Sequence, residues 1–215
     1  MYAAISADIV SSTSLPIDSM IGLNERLREC LNLLERRYED FWGRIVRGDS
    51  IECLMAHPED ALEVAIILKT WVKSFVPEKS SDTSRFSRYG IRMAIGIGNM
   101  DIVDRHLDMM DGEAIYRSGR TLDKLIGHSK YSFAISMEDE YKQQTFQVLF
   151  ALINQLLNNA TSRRCKTLCV RILESNAKRT AASLGISVSG VNQNLGEIGW
   201  PAIEDALVYY RKNII

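Results

Sequence analysis

The chain has 215 residues, 46% hydrophobic and 25% charged, with a formal net charge of −1. That is the balance of an ordinary soluble globular protein, long enough to bury a sizeable core without staples. No apolar run approaches the roughly 18 residues needed to span a membrane. The opening "MYAAISADIV" lacks a basic leader, which argues for the cytoplasm and against a signal peptide or a membrane partner.

"MYAAISADIV" reads as a buried strand, with a single acid, Asp8, just before Ser11-Ser12-Thr13-Ser14. Pro16 and Asp18 open a long amphipathic helix, in which Ile21, Leu23, Leu27, Leu31, Leu34 and Tyr38 recur at helical spacing. In "GRIVRGDSIECLM", two strand-like runs flank a hairpin turn at Gly48-Asp49. "PEDALEVAIILKTWVKSF" is a second helix, with Pro58 near its first turn. "PEKSSDTSRFS" is a polar loop, and "RYGIRMAIGIG" is a buried strand ending in glycines.

After a polar link, "DGEAIYRSGRTLDKLIG" predicts a third helix closed by Gly127, and "YSFAIS" another strand. The order β-α-β-β-α-β-α-β predicts a split βαβ sheet, ferredoxin-like, with helices on one face. After Met137 the character changes. A long helix over 138–159 links this part to a helical remainder, 160–215, so the fold class expected is α+β followed by an all-α domain.

The four cysteines, Cys30, Cys53, Cys165 and Cys169, form no CxxC pair and read as reduced, buried thiols. The three histidines are too scattered for a metal cluster or a triad. Charge is uneven. From Ala160 onward eight Lys and Arg stand against four acids, a net +4, which hints at an anionic partner.

"AKRTAASLGISVSGVNQNL", 177–195, carries a specific pattern. Ala181 is small where two helices would cross, Gly185 permits a tight turn, and Ser187 suits the cap of the next helix. Val191 and Leu195 face inward on that helix, which leaves Ser187, Val188, Ser189, Asn192 and Gln193 outside. This is helix-turn-helix spacing, with "SRRCKTLCVRILES" as the preceding helix and DNA as the partner. Asn and Gln suit adenine edges. Arg163, Arg164, Lys166, Lys178 and Arg179 suit phosphates. The reader helix itself holds no Lys or Arg, so a homodimer would help affinity. The pattern resembles regulator-type helix-turn-helix domains, where "iAxxLGiSxsxVxxxL" recurs.

In a split βαβ sheet, the end of the first strand lies beside the Gly48-Asp49 hairpin. Asp8 and Asp49 would then repel unless a divalent cation joined them, with phosphates completing a shell suited to Mg²⁺ or Mn²⁺. "ADIVSSTSL", "GRIVRGDSIECLM", "IRMAIGIG" and "GEAIYRSGRTLDKL" resemble, in order, four phrases of class III nucleotidyl cyclase catalytic domains over residues 1–137. The resemblance implies Asp8 and Asp49 as metal ligands and Ile9, Ser11, Ser12 and Thr13 beside a triphosphate. It implies Arg120 as the transition-state arginine, hence a catalytic and nucleotide-binding residue.

It is partial, however. Tyr116 stands where the family has its transition-state asparagine, and Ile45 where it has a base-selecting lysine. Arg44 alternates to the other face of its strand, and no second base-selecting acid stands out around 99–111. The whole architecture resembles the bacterial SatD family. The expectation is therefore a DNA-binding transcriptional regulator, with DNA contacts at Ser187, Ser189, Asn192, Gln193, Lys178 and Arg179. Its cyclase-like half senses a nucleotide ligand or dimerises. The alternatives are a divergent metal-dependent cyclase and a non-catalytic interaction protein.

Overall fold

The computed structural model describes residues 1–78, 83–107, 109–126 and 131–215. Gly127, expected to close the third helix, lies outside the described residues, as do His128 and part of the polar loop at 79–82.

Seven strands and nine helices are found among the described residues. The first part runs β1 (Tyr2–Ile9), α1 (Ile17–Arg37), β2 (Trp42–Ile45), β3 (Ser50–Met55), α2 (Ala61–Ser74), α3 (Ser84–Tyr89) and β4 (Ile91–Gly98). Then come β5 (Met100–Asp104), β6 (Met109–Gly112), α4 (Glu113–Ile126) and β7 (Phe133–Ser136). The main sheet has the order β2-β3-β1-β4-β7. Its ladders are antiparallel except β4 with β7, which is parallel. The unit β1-α1-β2-β3-α2-β4 thus orders its strands β4-β1-β3-β2, a split βαβ sheet of the ferredoxin kind.

Strand alternation divides the sheet into two unlike faces. Ala3, Ile5, Ala7 and Ile9 of β1 join Ile91, Met93, Ile95 and Ile97 of β4 in one apolar core with α1 and α2. Ala4 of β1 and Ala94 of β4 point the other way, where they pack with Ala114 and Leu125 of α4. The helices therefore cover both faces, not one as the sequence suggests. Small residues allow it. A Cβ on Gly96 would sit 2.1 Å from the Ala114 carbonyl oxygen and 2.4 Å from the Ser118 nitrogen. α4 lies directly on β4 because that glycine has no side chain.

Two further elements differ from the sequence reading. The polar link forms the β5–β6 hairpin, and part of the polar loop forms α3. In the hairpin Ile102, Val103 and Met109 are exposed, so no buried face marks it in the sequence.

The remaining helices are α5 (Glu140–Asn159), α6 (Ser162–Glu174), α7 (Ala177–Leu184), α8 (Val188–Ile198) and α9 (Trp200–Asn213). The large core runs unbroken from Ala3 to Ile214 and takes in residues of α5 to α9. α6 packs on α2, which is buried on almost every side. Polar ties join the same elements. Arg37 donates to the Ile172 and Leu173 carbonyls at the end of α6. Arg211 of α9 pairs with Glu63 of α2 at 2.9 Å, and the Tyr210 hydroxyl donates to the Pro58 carbonyl. A cation at a helix C-terminus, as Arg37 is at α6, answers the partial negative charge there.

Candidate functional site

The residues singled out by sequence fall mainly in two places, the end of β1 and the α7–α8 pair, with Arg120 on α4.

At the first, the Ile9 amide donates to the Asp49 carbonyl and the Val10 amide to the Gly90 carbonyl, each at 2.9 Å. The strand end is thus tied to the hairpin loop on one side and to the start of β4 on the other. Ser11 then takes a left-handed conformation, φ 56°, and the chain turns into a short 3-10 turn at Ser12–Ser14. Asp8 and Asp49 do come to the same end of the sheet, since Asp8 stands opposite Ser50 in the β1–β3 ladder.

Each acid, however, has its own partner. Arg92 stands opposite Asp8 across the β1–β4 ladder. Its Nη2 donates to Asp8 Oδ2 at 2.7 Å and its Nε to Oδ1 at 3.1 Å. Both side chains are under one-fifth exposed. Asp49 Oδ2 accepts from the Ser12 hydroxyl at 2.7 Å. Ile9 turns its side chain into the core, Ser11 bends the chain and Thr13 is exposed.

This donor set does not fit a divalent cation. The guanidinium of Arg92 already occupies both oxygens of Asp8 and cancels its charge. A cation placed on the same carboxylate would face that positive group at close range. Among the described residues no group of three His, Cys, Asp or Glu side chains is placed to hold a metal.

Arg120 makes no bond to Asp8 or Asp49 among the described residues. α4 turns Ala114 and Ser118 to the sheet, and the Ser118 and Ser6 hydroxyls bond at 2.8 Å. Two residues away from Ser118 in either direction, Tyr116 and Arg120 are exposed, with the guanidinium 6.0 Å over the Tyr116 ring. The Tyr116 hydroxyl donates to Asp111. On β2, Ile45 packs against the core, while Arg44 turns to the other face, pairs with Glu52 and stacks on Trp42. Arg92 is the residue that sequence reasoning missed. Its signal was a lone charge in an apolar strand, visible only once β1 and β4 are put in register.

The second place begins at α7. The Asn176 side chain accepts from the Lys178 and Arg179 amides and starts the helix. A three-residue turn follows, with Gly185 left-handed at φ 64°, a conformation that costs glycine least. The Ser187 Oγ accepts from the Gly190 amide and starts α8. Val191, Leu195 and Ile198 are buried, and Asn194 donates to the Thr167 hydroxyl of α6. Ser187, Val188, Ser189, Asn192 and Gln193 are all exposed.

The charges around α8 are sorted unevenly. Glu197 is paired with Arg164 of α6 and accepts from Gln193 Nε2 at 3.1 Å. The Gln193 hydrogen bond, and then Arg164, hold the Glu197 carboxyl below its usual range. Arg171 pairs with Glu204 and lies 5.2 Å over Trp200. Arg163, Lys166, Lys178 and Arg179 have no acidic partner among the described residues.

No family model and no curated protein matches the sequence. Several solved structures align with part of the chain at low identity. A bacterial light-regulated adenylyl cyclase is 14% identical, with a TM-score of 0.45 over 68% of this chain and 79% of its own. The active GGEEF domain of a diguanylate cyclase from Vibrio cholerae is 14% identical, with a TM-score of 0.39 over 63% of this chain and 81% of its own. The guanylyl cyclase Cya2 is 12% identical, with a TM-score of 0.34 over 57% of this chain and 69% of its own. Likenesses at this level say nothing of the chemistry at the sheet end. No helix among the described residues is long and apolar enough to cross a membrane.

Proposed function

We propose that the protein is a cytoplasmic DNA-binding regulator. Residues 160–215 dock on duplex DNA through α8. Residues 1–137 act as a dimerising or ligand-sensing half, and residues 138–159 join the two. The observation that carries this is the α7–turn–α8 pair. The face of α8 at Ser187, Val188, Ser189, Asn192 and Gln193 stands in solvent, and Lys178 and Arg179 open α7 without an acidic partner among the described residues. Phosphates would satisfy those cations, and base edges would meet Asn192 and the first turn of α8. A homodimer would present two copies of α8 and read a two-fold site.

The enzymatic reading is the weaker. It needs Asp8 free for a metal and Arg120 near it. Asp8 is instead neutralised by Arg92, and Arg120 stacks on Tyr116 on the outer side of α4. A ligand at this end would have to work with Arg92, Ser12 and Asp49 as they are arranged.

The test is fluorescence anisotropy of labelled DNA from upstream of the gene against a scrambled duplex, at two salt concentrations, with and without a nucleotide mixture. Salt weakens phosphate binding steeply, so a preference that survives it reports base or shape readout. Binding that never rises above the salt-sensitive background sinks the proposal. Turnover of a nucleoside triphosphate with Mn²⁺, abolished by Asp8→Ala, would move the function to the sheet end.

A further inference from the structure

We propose that α8 reads adenine–thymine base pairs through Asn192 and Val188, and that Gln193 takes no part in base recognition. This rests on the reading of α8 as the DNA-reading helix and names what it selects.

The first argument is elimination. Guanine is read mostly by Arg or Lys, whose donors match its O6 and N7, and cytosine by a free carboxylate. α8 carries no Arg or Lys. Its one acid, Glu197, is held by Arg164 and Gln193. Neither partner of a G·C pair finds its usual reader on this helix.

The second argument is what remains. Asn192 is exposed and makes no side-chain hydrogen bond among the described residues. Its amide offers a donor and an acceptor together, the pair that adenine N6 and N7 require. Val188 is 40% exposed on the first turn of α8, flanked by Ser187 and Ser189. An apolar side chain there suits the thymine methyl group. Residues four apart lie one above the other on a helix, about 6 Å along its axis. Val188 and Asn192 therefore meet base pairs one or two steps apart. Ser187 caps the helix through its hydroxyl oxygen.

Gln193 is the contrast. It carries the same chemical group as Asn192 and is also exposed, but its Nε2 is turned to Glu197. That bond uses one of the two amide hydrogens and holds the group toward Glu197, in a chain that also ties α8 to Arg164 of α6.

The experiment starts with full-length protein and a random duplex library, selected and sequenced at two salt concentrations. Enrichment of A·T pairs at two positions one or two steps apart is expected. On the selected duplex, Asn192→Ala should weaken binding about tenfold, while Gln193→Ala leaves it unchanged. Replacing thymine by deoxyuridine removes only the methyl group. That should weaken the wild type and not Val188→Ala. Selection of G·C pairs, or a Gln193→Ala loss as large as that of Asn192→Ala, overturns the inference and leaves DNA reading intact. If no sequence is enriched at either salt concentration, the DNA-reading proposal falls with it. All three positions are exposed, and circular dichroism is the check that the variants stay folded.

Discussion

Asp8 and Arg92 face each other across the β1–β4 ladder and share two hydrogen bonds, of 2.7 and 3.1 Å. They are 84 positions apart in the chain and set the one acid of β1 against the one base of β4 on the same sheet face. Hydrogen bonds between charged groups contribute roughly 1.5–3 kcal/mol each to stability. Removing either partner strands the other, partly buried, without its counter-charge. Asp8→Ala and Arg92→Ala should each lower stability by about 2 kcal/mol. The double variant should lose much less than their sum, as a double-mutant cycle in urea would show. Additive losses would mean that the pair carries no coupling. The same cycle bears on metal binding, because Mg²⁺ or Mn²⁺ should leave the wild-type midpoint unmoved.

Gly96 offers a sharper structural test. Its missing side chain is what lets α4 rest on β4, with the Ala114 carbonyl and the Ser118 amide in the space a Cβ would need. Backbone cannot step aside as a flexible side chain can. Gly96→Ala should cost about 3 kcal/mol, at the upper end of overpacking. It should also raise hydrogen exchange in α4 before the rest of the sheet. A variant as stable as the wild type would place α4 further from the sheet.

The frame of the N-terminal half was legible because β1, α1, the hairpin, α2 and β4 each carry a clean period. The second face of the sheet was not. Its marks are Ala4, Ala94 and Gly96, which read as gaps in an apolar run rather than as a bed for a helix. Asp8 and Asp49 were placed at one sheet end from the strand arrangement expected of a split βαβ sheet. Their partners, Arg92 and Ser12, depend on register and loop closure, which no local pattern encodes. The lysines of α2 are buried for a related reason. On a helix with one covered face, Lys69 and Lys73 would point to water, but α6 covers the other side.

Lys69 is 0% exposed and donates to the Tyr89 and Ile91 carbonyls and the Ser132 hydroxyl, with no carboxylate among these partners. Burial, and then the Lys73 charge, lower its pKa to about 7, against a smaller opposing pull from Cys165. Lys73 is lowered too, chiefly by burial, and meets the Arg88 and Asn158 carbonyls. The folded pKa of Lys69 lies below its unfolded value, so the unfolded chain binds the extra proton between them. Stability should rise with pH from about 7 and be lowest with respect to this group at and below about 7. The rise reverses near pH 9, because unfolding then frees the thiols of Cys165 and Cys169, held by burial at about 11 and about 12, to ionise. Urea midpoints from pH 7 to 9 should climb in the wild type and climb less in Lys69→Met. Equal slopes would show that Lys69 keeps its proton throughout.

Lys178 and Arg179 carry the phosphate half of the DNA proposal. Each phosphate deprived of its cation should flatten the dependence of log affinity on log salt by about 0.9. Lys178→Ala with Arg179→Ala should therefore reduce that slope by about 2 if both touch phosphate. It should also weaken selected and scrambled duplexes alike. An unchanged slope would remove both residues from the interface, while a weakening confined to the selected duplex would make them base readers.

Gly196 is the last residue of α8 that the fold alone does not require. It is exposed, its backbone is not left-handed, and a Cβ there would meet nothing within 4 Å. Glycine in a helix costs about 0.8–1 kcal/mol relative to alanine, less near an end. Nothing inside the protein offsets that cost. It lies one turn beyond Asn192 and three residues beyond Gln193, on the same exposed side, where a bare backbone would let a phosphate strand approach closely. Gly196→Ala should raise stability by about 0.5 kcal/mol and weaken DNA binding, so the two measurements move in opposite directions. If stability rises and DNA affinity holds, the far end of α8 stands clear of the duplex and docking is confined to its first two turns.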